Sequence, residues 1–153
     1  MIETRTVTRD DDVVRLVDEI NGASWDAANE MVRYEVQALQ AYLDRPDTLF
    51  IACHDVAPTG RTLLGIASGR FEMKPYDLET WVYVDEVDVC ADQRRRGAGR
   101  AIMGKFIELA RDAGCAEVWL GTETDNVAAN ALYRSLAPAD VASFVGYTFD
   151  GER

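Results

Sequence analysis

The chain has 153 residues, 48% of them hydrophobic, and its 27 acidic and 16 basic residues give a formal net charge of −11. That length and apolar content are enough for one core, and we predict a single domain over residues 1–153. The acidic excess argues against a nucleic-acid partner, because binding a phosphate backbone needs clustered basic side chains. It favours a cationic partner, although such acidity also simply keeps many proteins soluble.

The cysteines and the N-terminus exclude further classes. Three cysteines without a CxxC pair fit neither a complete set of disulfides nor a zinc site, and no cluster of histidines and carboxylates suggests another metal. The first residues, MIETRTVTRDDD, lack the apolar core of a signal peptide, and no later segment approaches the length of a membrane span. We therefore expect a cytoplasmic protein with no metal and no membrane contact.

The order of apolar periods and turn signals predicts a mixed sheet flanked by helices, an α/β (α+β) fold. In chain order the predicted elements are a strand at Glu3–Thr8, a helix capped by Asp10 or Asp11 with Val13, Leu16, Val17 and Ile20 as its apolar face and Gly22 as its end, a helix at Ala27–Leu43, strands at Thr48–Cys53, Leu63–Arg70 and Trp81–Cys90, a helix at Gly99–Ala113, a strand at Ala116–Gly121, a helix at Asn126–Leu136, and a closing strand or pair at Ala142–Phe149.

The segment VDEVDVCADQRRRGAGRAIM joins a strand to a helix and gathers four arginines around two glycines. Glycines at a helix start let the backbone approach a ligand, and the N–H groups there favour an anion. Neighbouring arginines add charge-assisted donors, so a pyrophosphate fits this loop better than the alternative, a solvated basic turn. The predicted binding residues are Arg94, Arg95, Arg96, Gly97, Ala98, Gly99 and Arg100.

Three other patterns are weaker. Gly99–Phe106 nearly spells a P-loop, but Phe106 stands where a hydroxyl must bind Mg²⁺. Gly97–Ile102 lacks the third glycine of a dinucleotide-binding fingerprint. The only histidine, His54, lies in a strand-like run, which indicates a structural or solvent-facing role.

Two motifs carry a family resemblance. RRRGAG at Arg94–Gly99 resembles the R/Q-x-x-G-x-G/A signature of the GNAT N-acetyltransferase superfamily, and NVAANALY at Asn126–Tyr133 resembles the N-x-x-A-x-x-L-Y pattern of that family's later helix. The resemblance implies a mostly antiparallel central sheet, splayed between strands 4 and 5 and flanked by about four helices. It also implies acetyl-CoA as the cofactor.

Within the superfamily, four segments resemble the type I aminoglycoside 3-N-acetyltransferases: DTLFIACHD, LLGIASGRFEMKP, VYVDEVDVCADQRRRGAG and NALYRSL. This resemblance covers roughly residues 47–136 and implies direct transfer of an acetyl group to the 3-amino group of an aminoglycoside, which confers resistance. Other acceptors stay open (a polyamine, a small metabolite, a protein lysine or N-terminus), as do a non-catalytic acetyl-CoA-binding module and a homodimer.

An amine that attacks a thioester must be neutral, so a base beside the acceptor is useful. Strict alternation along the strand predicts Glu86 and Asp88 on one face and Asp85 on the other, unless a β-bulge reassigns the faces. Glu86 falls where the aminoglycoside enzymes carry an aspartate base, so the resemblance implies that Glu86 is the general base, directly or through a water. Asp85 and Asp88 are candidate substrate ligands, with solvent exposure as the alternative for Asp88.

The resemblance assigns the remaining roles. It implies that Tyr133 protonates the leaving thiolate, with packing under the sheet as its alternative role, and that Asn126 caps its helix or bonds to CoA. Backbone N–H groups near Val87 and Val89 are expected to hold the pantetheine arm and polarise the thioester carbonyl. We interpret Cys90 as a small core residue rather than an acyl carrier.

Overall fold

A computed structural model describes residues 1–152, which form two compact units: Met1–Gly121 and a C-terminal unit that begins at Thr122. The first unit contains one five-stranded sheet in the order β1-β2-β3-β4-β5. Strands β1 to β4 are antiparallel neighbours, whereas β5 runs parallel to β4. The elements are β1 Ile2–Thr6, α1 Val13–Gly22, α2 Val36–Leu43, β2 Thr48–Ala57, β3 Gly60–Met73, β4 Thr80–Val89, α3 Ala98–Asp112, β5 Glu117–Trp119 and, in the second unit, α4 Val127–Ser135. This confirms the predicted mixed α/β fold.

Helices cover both faces of the sheet. On one face the buried side of α1, which is the predicted apolar face, packs with Leu39 of α2 against Phe50 and Ile66 of the sheet. On the other face α3 lies so close to the sheet that a Cβ on Gly69 would stand 3.0 Å from the ring of Phe106. The core therefore has two layers, one on each face of the sheet. None of the helices in the described residues is both long and apolar enough to cross a membrane.

Strands β4 and β5 are paired at one end only. Trp81–Tyr83 lie in register with Glu117–Trp119, and beyond Tyr83 strand β4 is paired with β3 alone. The predicted splay between the fourth and fifth strands is therefore present. It leaves the C-terminal half of β4 with one edge that β5 does not cover.

The helix predicted over Ala27–Leu43 is wrong in its first half. A short 3-10 helix, Ala27–Asn29, is followed by an irregular segment, and α2 begins only at Val36. The cause is a pair of bonds from α1: the Asn21 side chain donates to the carbonyl of Tyr34 (2.9 Å) and accepts from its N–H (2.9 Å). Both backbone groups of Tyr34 are thereby taken from any helix.

Two smaller predictions are also wrong. The cap of α1 is Asp12, which accepts from the N–H of Arg15 (3.0 Å), because Asp11 is instead engaged by the N–H of Thr8 (2.7 Å) and by Arg5.

Residues 142–149 form no strand and pair with none of the described strands. Their large apolar side chains are mostly exposed, and a strand without a partner does not persist.

His54 has the structural role that its strand context predicted. Its side chain is buried, and Nε2 lies 2.9 Å from a carboxylate oxygen of Glu19. Arg61 donates two further bonds to the same carboxylate, at 2.9 and 3.0 Å. Burial lowers the pKa of His54 below its ordinary value, although the bond to Glu19 opposes this shift, so the imidazole is neutral at pH 7.

Candidate active site

A β-bulge at Asp85 determines where the carboxylates of β4 point. Val84 lies opposite Gly69 and Glu86 lies opposite the adjacent Ser68, so Asp85 is an extra residue on β4. A bulge of this kind shifts the alternation of side chains beyond it. Val84 is buried on the α3 face, and Glu86 and Asp88 lie on the face covered by α1 and α2.

Glu86 and Asp88 share a face, as the alternation predicted, but the placement of Asp85 on the opposite face is wrong. Asp85 accepts a hydrogen bond from Arg70 (2.5 Å). Arg70 lies on the same face of β3 as Ser68, because the two residues are two positions apart on a regular strand. The bulge explains the difference, because it lets two consecutive residues point to one side of the strand. Three carboxylates within four residues therefore lie on one face.

A cleft of about 300 Å³ lies between this face and the segment leading into α2. Tyr34 and Tyr42 line it and meet the ring of Phe50 edge-on, with centroids at 6.1 and 6.3 Å. Burial, with the charges of Glu86 and Asp88, raises the pKa of Tyr34 to about 12. The phenol thus stays protonated and can donate a hydrogen bond to a ligand.

Sequence reasoning missed both tyrosines. Their eight-residue spacing on the predicted helix would have put the two rings on one face, and that was the available signal. The structure brings Tyr34 there by another route, through the bonds from Asn21.

Asp88 is a half-buried carboxyl and does not simply face solvent. Its Oδ1 accepts from the amide of Asn29, 3.2 Å away in the 3-10 helix. Burial and the nearby charge of Glu86 raise the pKa of Asp88 to about 6, against the effect of the Asn29 bond. At pH 7 the group is largely ionised, at a cost to folding, and it takes up a proton near pH 6.

We expect Asp88→Asn to stabilise the fold at pH 7 by about 1–2 kcal/mol. The full shift in pKa corresponds to about 3 kcal/mol, which we reduce because the side chain is partly solvated. The folded-state pKa lies above the unfolded value, so the cost of ionisation is present above pH 6 and is lost as the pH falls toward 4.

Urea unfolding at pH 7 and pH 4 measures this. The gain in stability should shrink at the lower pH, and substitution of the exposed Asp18 by Asn should show no such trend. An equal or lower stability of Asp88→Asn at pH 7 would contradict the raised pKa.

Backbone donors line the edge of β4 that β5 does not cover. Cys90 donates its N–H to Leu64 of β3 (2.9 Å), and successive residues of a strand point their N–H groups to alternate sides. No bulge lies between Glu86 and Cys90, so Val87 and Val89 alternate in direction with Cys90. Their N–H groups therefore point away from β3. That is the side on which β5 does not continue.

The loop after β4 leads directly into α3. Arg95 and Gly97 both have left-handed backbone conformations, with φ of 62° and 86°, and Gly97 is the residue before the helix. Ala98 and Gly99 are buried, so the backbone of the first turn packs closely. The first N–H groups of a 15-residue helix therefore point into this loop.

The arginines of the loop are exposed and partly paired. Arg94 donates to Asp26, and Arg96 donates to Asp55 and to the side chain of Gln93 (2.6 Å). Exposed ion pairs of this kind are weak, so an anion with two charged phosphates can replace the carboxylates. The donors of this loop thus fit the pyrophosphate that its sequence predicted.

Cys90 is a core residue, as predicted. Its side chain is 1% exposed, its thiol donates to the carbonyl of Leu63 (3.4 Å), and burial raises its pKa to about 11. It carries almost no thiolate at neutral pH and is unsuited to be an acyl carrier.

The second unit contains the other predicted motif. Asn126 caps α4 by accepting from the N–H of Ala129 (3.1 Å), and Asn130 donates to the carbonyls of Glu123 (3.0 Å) and Asn126 (2.8 Å). The capping role of Asn126 is therefore present. Tyr133 lies half-buried on α4, and its chemical role stays a prediction.

Comparisons with known proteins agree with this geometry. The family model described as "Acetyltransferase (GNAT) family" matches residues 14–137. The thialysine N-epsilon-acetyltransferase of Bos taurus is 24% identical over an alignment of 149 residues, with a coverage of 92% of this chain and 86% of that protein. The protein of the same name from Mus musculus is 24% identical over 150 residues, with the same coverage of 92% and 86%.

Two solved structures share the fold. An aminoglycoside acetyltransferase from an uncultured soil metagenomic sample, in complex with sisomicin, has a TM-score of 0.81 at 15% identity, covering 97% of this chain and 95% of that one. The ribosomal-protein-alanine N-acetyltransferase of Brucella melitensis biovar Abortus 2308 has a TM-score of 0.70 at 15% identity, covering 98% and 99%. At these identities the likeness concerns the fold.

Proposed function

The chain belongs to the GNAT acetyltransferase family and is an N-acetyltransferase, and we propose that its acceptor is an amine of an aminoglycoside antibiotic, acetylated at the 3-amino group. The observation that carries this proposal is the set of carboxylates that the bulge places on one face, namely Asp85, Glu86 and Asp88. In a chain of net charge −11, such a face attracts a polycationic amine. The aminoglycoside acetyltransferase that shares the fold adds support.

The loop and the β4 edge would hold acetyl-CoA, which the family uses and which supplies an acetyl thioester. We propose that the N–H groups at the start of α3 and the arginines 94, 95, 96 and 100 bind the pyrophosphate. The N–H groups of Val87 and Val89 are suited to bond the pantetheine arm, since they point to the edge that β5 leaves uncovered. Asn126 is proposed to contact the same cofactor.

On the acceptor side, Glu86 takes a proton from the ammonium, directly or through a water, and leaves a neutral amine. Asp85 and Asp88 bind neighbouring ammonium groups, with Asp85 exchanging its partner Arg70 for the acceptor. The amine nitrogen then bonds to the acetyl carbon as the carbon–sulfur bond breaks. The thiolate takes a proton from Tyr133, and the second proton that the acceptor nitrogen loses on becoming an amide passes through solvent and restores the Tyr133 hydroxyl. Glu86 gives its own proton to solvent, so one proton is released overall. No covalent enzyme intermediate is needed, consistent with the buried Cys90.

We expect Tyr133→Phe to lower the turnover number about tenfold to a hundredfold and to leave acetyl-CoA affinity unchanged. A general acid contributes about 10²–10⁴-fold, and water replaces part of that contribution. Turnover under saturating substrates, with binding measured by calorimetry, tests this. A variant at the wild-type rate, with chemistry shown to be rate-limiting, would leave Tyr133 with a packing role only.

The test of the proposed function is thiol release from acetyl-CoA with a panel of acceptors. We expect turnover with sisomicin and other aminoglycosides that carry a 3-amino group, and little with analogues that lack it. The thialysine acetyltransferases at 24% identity favour one second candidate, a small amino-acid acceptor, so thialysine belongs in the panel. Turnover with thialysine alone would replace the aminoglycoside proposal, and turnover with no amine would contradict both.

A further inference from the structure

Three aromatic rings form a continuous surface where β4 and β5 are paired. Trp81 and Tyr83 stack with their centroids 6.0 Å apart and an interplanar angle of 19°, and Trp119 lies 5.7 Å from Tyr83. We call these three residues the aromatic shelf. Trp119 is 41% exposed, so the shelf is open to solvent at the β5 side.

The shelf already holds an ammonium group from the protein itself. Lys74 Nζ lies 3.9 Å from the ring centroid of Trp81 and 4.8 Å from that of Tyr83, and it donates to the Tyr83 hydroxyl at 2.5 Å. These are the distances of cation–π contacts. Lys74 comes from the connection between β3 and β4, where Tyr76 is 74% exposed.

The shelf adjoins the carboxylates. The Arg70 guanidinium lies 5.1 Å from the Tyr83 centroid and also donates to Asp85. Tyr83 and Glu86 are three residues apart on one strand, which corresponds to roughly 10 Å. One ligand with two ammonium groups at about that separation can therefore reach both places.

We propose that the aromatic shelf is a second ammonium subsite, which binds a non-reacting amine of the acceptor in the place of Lys74. The proposal rests on the proposed function, since the reacting amine is the one beside Glu86. The incoming ammonium takes over the cation–π contacts of Lys74 with Trp81 and Tyr83 and, at the exposed β5 side, also contacts Trp119. The displaced Lys74 ammonium is hydrated again, so the exchange favours the ligand by about the contact with Trp119.

Two probes test the subsite. The first is 1,8-diaminooctane, whose amines can span both places, and the second is 8-amino-1-octanol, in which a hydroxyl replaces one ammonium. Calorimetric affinities for both are compared in the wild type, Trp119→Leu, Lys74→Met and the control Tyr76→Leu, which alters an exposed ring outside the shelf. Circular dichroism establishes that each variant is folded.

We expect the wild type to prefer the diamine. Trp119→Leu should reduce that preference about three- to fivefold, the size of one exposed cation–π contact, and Trp119→Phe should restore most of it. Lys74→Met should increase the preference by a similar factor because it vacates the shelf, and Tyr76→Leu should leave it unchanged.

The outcomes separate this proposal from the proposed function. An unchanged diamine preference in both Trp119→Leu and Lys74→Met, with both variants folded, would overturn the subsite, whatever the acetylation panel shows. A preference that changes as expected supports the subsite by binding alone, even if no aminoglycoside is turned over, in which case the proposed function fails by itself.

Discussion

Glu86→Gln is expected to lower the turnover number by about 10²-fold or more, the loss typical for removal of a general base. The substitution keeps the shape of the side chain and removes its charge. Glu86 is exposed on the face of β4 that carries the other carboxylates and lines no part of the α3 loop. Affinity for acetyl-CoA, which is anionic, should therefore change little.

The pH dependence sharpens this test. Raising the pH should recover part of the lost activity, because more of the acceptor amine is then already neutral and needs no base. Thiol release measured from pH 6 to pH 9.5 under saturating substrates gives both the loss of activity at neutral pH and its recovery at high pH. In the wild type an acidic limb near pH 6 is also expected, where Asp88 takes up its proton.

A matched control is Glu3→Gln, since Glu3 is also an exposed carboxylate on a strand of the same sheet. It should leave turnover and its pH profile unchanged. Full activity of Glu86→Gln at neutral pH would contradict the assignment and point to Asp88 or Asp85 as the base. A large loss of acetyl-CoA affinity would contradict it in another way, because the charge would then act on the cofactor.

The loop before α3 and the helices α1 and α3 could be predicted because their signals are local. The apolar period of α1 and α3 determines which side of each helix is buried, and both helices begin and end close to the predicted residues. Gly97 was predicted to let the backbone approach a ligand at the helix start. The structure adds a φ of 86°, a conformation that other residues rarely adopt.

The bulge at Asp85 could not be predicted in the same way. The strand VYVDEVDV contains no glycine or proline to mark an irregular position. The bulge depends on the register with β3, where Gly69 and Ser68 face Val84 and Glu86, and a register is a long-range property. Alternation was therefore right for Glu86 and Asp88, which both follow the bulge, and wrong for Asp85.

The cleft segment was mispredicted for a related reason. Helical periodicity continues from Ala27 to Leu43, but the side chain of Asn21 binds the backbone of Tyr34 across 13 residues and prevents the helix there. A local pattern cannot show that bond. The same competition created the aromatic cleft beside the carboxylates, so the least predictable segment is the one that shapes the proposed acceptor site.

Gly97→Val is expected to lower the affinity for acetyl-CoA about a hundredfold. A valine side chain at φ of 86° would stand in the loop where the backbone must approach the phosphates. Loss of one or two hydrogen bonds to a charged group accounts for an effect of that size. The nearest atom to a Cβ at this position is Ile2 Cδ1, at 4.0 Å, so the fold has room for the substitution.

Two controls separate phosphate binding from backbone strain. The unfavourable φ should lower thermal stability in both Gly97→Val and Gly97→Ala, less so for alanine because it is not β-branched. Gly97→Ala has less bulk and should show only part of the loss of affinity. Gly104→Ala adds a methyl group inside α3 at a position with nothing within 4 Å. It should leave the affinity for acetyl-CoA unchanged and raise stability by about 0.5–1 kcal/mol, because glycine is unfavourable inside a helix. The decisive comparison uses S-acetylpantetheine, which lacks the pyrophosphate: its affinity should be the same in the wild type and in Gly97→Val. If both ligands lose affinity equally, the loop acts on the pantetheine arm or on the fold, and the pyrophosphate assignment is wrong.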